Sequence, residues 1–220
     1  MVHAGLSCSR EVYVRVEPEF TSLTWVYLMS VFSRRLFEGL ADGPLPEWPR
    51  LQTQIAVRHV ERGGSVFMQG VDHPFVYVVG SGLIKNVYLR DNGEDWIKSF
   101  SHEGLFFASI AALRPGGLTS FAAIAIEDCV LERIPFSRLQ ELAGIHLSWA
   151  RVTQAALMMF AERKEKRERE LLILNAEERY REFLAEAPAL QSRVPQKDLA
   201  RYLGLTAVGL NRIVKRVRAV

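Results

Sequence analysis

The stretch from Gln196 to Val220 constrains this chain more than any other, because its spacing calls for two short helices meeting at a tight corner. Leu199, Leu203, Leu205, Leu210 and Ile213 recur at the intervals of buried helical positions. Ala200 is small where two helices must cross closely. Gly204 stands at the corner, where a positive φ is needed and a side chain would be costly. Thr206 offers a hydroxyl to cap a second helix running from Ala207 to Arg218. The segment holds six cations and one anion, a local charge of about +5, whereas the whole chain is only +3. The positive charge is therefore local, as expected of an element that meets nucleic acid. Gln196, Lys197, Thr206, Val208, Asn211, Arg212, Lys215 and Arg216 are the candidate contacts to phosphates and base edges.

The rest of the chain is bounded by its size and content. At 220 residues and 49% hydrophobic, it has room for two compact domains and is not a disordered polymer. Cys8 and Cys129 have no metal-ligand spacing around them, so a disulfide scaffold, zinc finger or iron–sulfur cluster is not expected and a reducing cytoplasm is. The apolar run Leu23 to Phe32 is about half a membrane span and follows Glu17 and Glu19 rather than basic residues, so it reads as a soluble amphipathic helix and not a signal peptide.

Residues 18–40 have a helical pattern, with Phe20, Leu23, Tyr27, Val31 and Leu36 near one side. Met29 begins a plausible shorter protein, which leaves two readings of the first 28 residues: an arm, or an overlong start. From Gln54 to Pro135 the texture is short β-rich runs at 55–60, 65–68, 75–79, 83–89, 96–100, 121–126 and 130–134, most separated by glycine-bearing turns. Asp91-Asn92-Gly93 is a hairpin signal, and the whole region reads as a small barrel or sandwich. Helix begins at Phe136, and residues 145–174 read as one helix about 45 Å long. On it Trp149, Val152, Ala156 and Met159 repeat at coiled-coil spacing and are expected to meet a second copy. Leu157 and Phe160 form a second apolar side, expected to pack back on the β region. The charged run 162–170 reads as a solvated face with Glu162/Lys166 and Glu165/Arg169 pairs. Asn175-Ala-Glu-Glu178 has the form of a capping box.

A β-roll, a long helix and a C-terminal helix-turn-helix, in that order, resemble the cyclic-AMP receptor protein/Fnr (Crp/Fnr) family of bacterial transcription regulators. The resemblance rests on Gly63-Gly-Ser-Val-Phe-Met-Gln-Gly70, Tyr77-Val-Val-Gly-Ser-Gly-Leu83 and Phe106-Phe-Ala-Ser109. It continues through Ile126-Glu-Asp-Cys129, Ala176-Glu-Glu-Arg-Tyr180 and Leu203-Gly-Leu-Thr206, and is closest to members that lack a β wing. It implies an α+β fold: an N-terminal extension over 1–48, a cyclic-nucleotide-binding-like β-roll over 49–136, a dimerisation helix over 137–174 and a helix-turn-helix domain over 175–220.

Within such a β-roll the family's nucleotide binders hold the ribose with a carboxylate and the cyclic phosphate with an arginine. The resemblance places the effector pocket at Ala108, Ser109, Ile110, Thr119 and Ser120, where Ser109 stands at the usual glutamate and Thr119 at the usual arginine. Arg114 lies five positions too early to substitute. Losing that arginine alone removes a contact worth roughly 1.5–3 kcal/mol, so cyclic AMP and cyclic GMP are not the expected effectors. His59, His73 and His102 are isolated and are read as ordinary surface or core histidines, not haem ligands. In the second helix the family's Arg-Glu base-reading pair is replaced by Ala207-Val208, while Arg212 matches a base-reading arginine, so a different operator is expected.

The expected function is thus a homodimeric, cytoplasmic, DNA-binding regulator without cofactor, metal or membrane contact. Its partners are near-palindromic double-stranded DNA, a small-molecule effector of unknown identity if one exists, and RNA polymerase if it activates. The alternative is a cyclic-nucleotide-binding-like interaction module with a degenerate, non-productive helix-turn-helix. No nucleophile–base pair, metal-ligand spacing or phosphate loop argues for an enzyme.

Overall fold

The structure, a computed structural model, describes residues 31–90 and 95–218. The helical pattern called over residues 18–30, Cys8 and the hairpin signal at 91–93 lie outside these. The described chain opens with α1 (Val31–Ala41) and the short α2 (Trp48–Gln52). The strands follow as β1 (Ala56–Val60), β2 (Ser65–Phe67), β3 (Phe75–Ser81), β4 (Ile84–Leu89), β5 (Asp95–Ser101), β6 (Phe106–Phe107), β7 (Ala122–Ala125) and β8 (Cys129–Pro135). Then come α3 (Phe136–Ile145), α4 (Leu147–Ile173), α5 (Ala176–Glu186), α6 (Gln196–Leu203) and α7 (Ala207–Arg218). The fold is α+β.

The strands form two antiparallel four-stranded sheets, in the orders β1-β8-β3-β6 and β2-β7-β4-β5. Period-two alternation places Val60, Phe67, Tyr77, Val79, Ile84, Phe107, Phe121 and Leu131 in one apolar core. Where β3 passes into β4, Gly82 takes φ +92, and a Cβ there would lie 2.5 Å from the Asp128 carbonyl oxygen. Only glycine satisfies both the conformation and the space.

A second core lies outside the sheets and corrects two expectations. In α1 the inward face is Ser33, Phe37 and Ala41, while Val31 is exposed. In α4, Trp149 and Val152 are buried within this chain, against Phe37, Trp48, Leu51 and Val78. Trp149 stacks on Trp48 at 6.2 Å, meets Phe37 edge-on at 6.0 Å and donates its indole N–H to the Pro46 carbonyl at 2.8 Å. The stripe Trp149, Val152, Ala156, Met159 is therefore no free seam: its first two members are core, and its last two are half-buried along the same side. The cover of Trp149 and Val152 comes from a segment about a hundred residues earlier. Leu157, expected to pack inward, is 53% exposed, and Met158 and Leu147 of the same helix are exposed too.

Glu132 fixes α1 to the β-roll. Its side chain, fully buried on β8, accepts the Ser33 amide at 2.7 Å and the Phe32 amide at 3.3 Å. These are N–H groups of a helix's first turn, which no carbonyl within the helix can satisfy. Burial pushes the Glu132 carboxyl above its ordinary range, and the amides at 32 and 33 oppose that shift.

Candidate nucleic-acid interface and effector site

The corner of the helix-turn-helix forms as its residues dictate. Gly204 takes φ 71, and the Leu205 amide donates back to the Ala200 carbonyl at 2.8 Å, closing α6. The Thr206 hydroxyl accepts the Gly209 amide at 3.1 Å and so caps α7. Leu199, Ala200, Leu203, Leu210 and Ile213 are buried together with Tyr180 and Phe183 of α5. The opposite face is open: Val208 is 62% exposed, and Asn211, Arg212, Lys215 and Arg216 are exposed with it.

These candidates are not equivalent. Among the described residues, Lys197, Arg212 and Lys215 have no acidic partner, whereas Arg216 pairs with Glu177 of α5 at 3.2 Å. Gln196 donates its side-chain amide to the Asn211 side-chain oxygen, which joins the first residue of α6 to the middle of α7.

A set of polar contacts that sequence reasoning missed seats this module on the β2-β7-β4-β5 sheet. Arg193, just before α6, lies between Glu103 and Glu127, at 2.8 and 2.6 Å. Burial works to raise the Glu103 carboxyl, but Arg193 and backbone N–H donors, including that of Gly82, hold it below the usual carboxylate range. Lys85 of β4 reaches the buried Asp198 of α6 at 2.9 Å, and Arg201 pairs with Asp95. Tyr202 packs on Phe100 of β5, while Arg167 of α4 lies over the Tyr202 ring at 4.0 Å and donates to its carbonyl. Asp198 was the one signal available, a lone anion in a basic segment. On α4, Lys166 turns to Glu186 of α5 and to Glu170 rather than to Glu162.

The effector positions converge, but on one another. Thr119 donates its hydroxyl to the Met68 carbonyl at 2.6 Å and accepts the Val71 amide at 3.0 Å. Ser109 accepts the Ser120 amide at 3.0 Å and lies 3.4 Å from the Ser120 hydroxyl. Ala108, Ser109 and Thr119 are buried, while Ile110 starts a 3-10 turn with its side chain partly in solvent. Phe67 lies 5.5 Å from Phe121 and 6.2 Å from Phe107, and Phe107 stacks on Tyr77 at 5.3 Å. Rings fill the space between the sheets. His73 bonds the Tyr77 hydroxyl at 2.8 Å, and burial first, then Arg133 and Arg58, push its pKa down. It is a neutral, satisfied histidine. Among the described residues no His, Cys, Asp and Glu group has the arrangement of a metal site.

A β-roll joined through a long helix to a basic helix-turn-helix defines a class of two-part regulators, and the comparisons agree. Residues 57–146 match the cyclic nucleotide-binding domain family. The Anaerobic regulatory protein of Haemophilus influenzae is 29% identical over 71% of this chain and 65% of its own length. Regulatory protein HlyX of Actinobacillus pleuropneumoniae is 28% identical over 71% of this chain and 69% of its own. Thus the chain spans about two thirds of the length of the curated relatives it matches. In fold, it superposes on FixK2 of Bradyrhizobium japonicum with a TM-score of 0.67, at 23% identity over 75% of this chain and 85% of FixK2. The chain is thus similar, in its β-roll family and over most of its length, to Crp/Fnr-type regulators, and the relatives matched here are regulatory proteins and not enzymes.

Proposed function

We propose that this protein is a homodimeric, sequence-specific binder of double-stranded DNA that regulates transcription, and that its β-roll does not take a cyclic nucleotide. One observation carries the reading: the outer face of α7 presents Val208, Asn211, Arg212 and Lys215 to solvent, and its two cations have no acidic partner among the described residues. Unneutralised cations around an apolar and an amide side chain on a capped helix suit phosphates and base edges. The intact cap, corner and core count against the alternative, a degenerate module.

The dimer surface is reassigned. With Trp149 and Val152 covered, the outward stripe of α4 is Leu147, Gln154, Leu157, Met158 and Ala161, all exposed. A second copy meeting it would set two recognition helices about 34 Å apart on a near-palindromic site. No described helix is long and apolar enough to cross a membrane. The cytoplasm, where DNA is reached, is the compartment this function requires, and RNA polymerase is the partner if the protein activates.

The test is a titration of a selected operator and a scrambled duplex at several salt concentrations. Arg212→Ala is expected to cost about 1–3 kcal/mol on the operator and to relax preference at one base pair per half-site. Equal weakening on both duplexes would make Arg212 a phosphate contact, and no salt-dependent binding to either would end the DNA-binding reading.

A further inference from the structure

Among the described cations on the outer side of α7, Arg216 differs from Arg212 and Lys215 in being held by a carboxylate, with its guanidinium 3.2 Å from Glu177 Oε2. The other oxygen of Glu177, Oε1, accepts from Arg181 of α5 at 3.0 and 3.4 Å. One carboxylate thus bridges two guanidiniums, one from α5 and one from α7. Beside them a groove of about 530 Å³ opens between the two helices, with Asn175, Glu178 and Ile213 in its wall. The amino end of α5 is already satisfied. The Asn175 side-chain oxygen accepts the Glu177 and Glu178 amides, and the Glu178 carboxylate accepts the Asn175 amide. Glu178 is therefore engaged in the cap, and the Glu177 carboxylate is not.

Stability does not account for the bridge. The side chains of Arg216, Arg181 and Glu177 are 65%, 49% and 26% exposed, and ion pairs in that setting are screened by water and salt. The pair that seats α6 on the β-roll, Lys85 with Asp198, is far more enclosed. Two guanidinium forks that converge on one carboxylate have the form of an anion seat, since a phosphate accepts the same donors. The seat also has a telling position. Arg216 follows Lys215 directly and lies one helical turn beyond Arg212, on the flank of the face that α7 offers to DNA.

We propose that Glu177 is an internal stand-in for a DNA phosphate: it fills a phosphate seat formed by Arg181 and Arg216 at the rim of α7, and so limits how tightly the protein holds DNA of any sequence. The inference rests on reading α7 as the DNA-contacting helix, and it adds to that reading a residue that opposes binding. While the carboxylate is in place, Arg216 displaces no counter-ion from the duplex. Phosphate contacts carry no sequence information, so the restraint acts on affinity and salt dependence and not on base preference.

The test is a double-mutant cycle in the full chain, with Glu177→Gln, Arg216→Ala and both together titrated against the selected operator and the scrambled duplex at several salt concentrations. Glu177→Gln keeps the size of the side chain and removes its charge. At about 0.1 M salt it is expected to tighten both duplexes by about three- to tenfold, and to steepen the slope of binding against salt by about one unit. The seat needs both guanidiniums, so in the Arg216→Ala background the same change should gain less than about twofold. A carboxylate with only a structural role would lower the melting temperature and leave the salt slope alone; here the melt should stay and the slope should move. If Glu177→Gln does not fold, Glu177→Ala takes its place in the cycle. Unchanged or weaker binding, a gain that survives whole without Arg216, or a gain confined to the operator would overturn the proposal. Salt-dependent operator binding by the unaltered chain, with no gain from Glu177→Gln, sinks this inference alone. No binding of either duplex by the unaltered chain removes the DNA-binding reading and this inference together.

Discussion

The loop of residues 109–120 and the helix Ala207–Arg218 are built from similar modest side chains and end in opposite states. In the loop, Ser109 and Thr119 spend their hydroxyls on the Ser120 and Val71 amides and the Met68 carbonyl. On the helix, Arg212 and Lys215 have no acidic partner among the described residues, and Val208 has no apolar cover. A site is therefore marked less by residue type than by what the fold leaves unsatisfied. The resemblance places the ligand position in this loop, yet its polar groups hold the loop itself. The helix begins with Ala207-Val208 and not an Arg-Glu pair, yet it has donors to give away.

The largest effect that could break this contrast concerns α4. If Trp149 is interior, Trp149→Ala should cost about 3–5 kcal/mol of stability by denaturant melt, while Met158→Glu should leave the melt unchanged and yield monomers in sedimentation. A Trp149→Ala protein of normal stability that is merely monomeric would invert inside and outside on this helix.

Next comes a division within the basic face. Lys215→Ala should lower the slope of binding against salt by about one unit, because a free cation displaces one counter-ion. Arg216→Ala should lower it less, because Glu177 already holds that guanidinium. Equal slopes would show that DNA pulls Arg216 away from Glu177.

Acid should reach the docking contacts next. Glu103 titrates below its ordinary 4.5 because Arg193 and backbone donors stabilise its charge. A depressed carboxyl contributes stability above the unfolded value and loses it as pH falls through the folded one. Hydrogen exchange followed downward from pH 4.5 should therefore open the 188–204 region before the sheets, and simultaneous opening would remove Arg193 as the determinant. The smallest expected effect is none at all: cyclic AMP and cyclic GMP should give no calorimetric heat at micromolar concentration, since Thr119 supplies no charge for the phosphate. Tight binding of either would show that the loop rearranges to free its donors.

Legibility followed distance along the chain. The bounds of α7, the corner at Gly204, the Thr206 cap and the capping box at Asn175 and Glu178 were readable, because each is decided by residues within one helical turn. The strand runs were readable for the same reason, to within a residue or two at their ends. The inward side of α4 was not, because periodicity fixes a stripe and not what covers it, and the cover, Trp48 and Phe37, lies about a hundred residues away. Arg193 with Glu103 and Glu127, Lys85 with Asp198, and Lys98 against Phe160 are likewise meetings of distant residues. Nothing local distinguishes them from ordinary surface charges.

The buried carboxylate of Glu132 has a consequence for anyone who would dissect the molecule. It completes the amino end of α1 from a strand about a hundred residues away, so helix and sheet share a single electrostatic account. A fragment trimmed to begin at residue 49 would strip Glu132 of its two backbone donors and take the cover from Leu51, Val78 and Trp149 together. The smallest piece expected to stand alone therefore begins no later than Val31, and a soluble fragment starting after α1 would report on a rearranged sheet rather than on the native one.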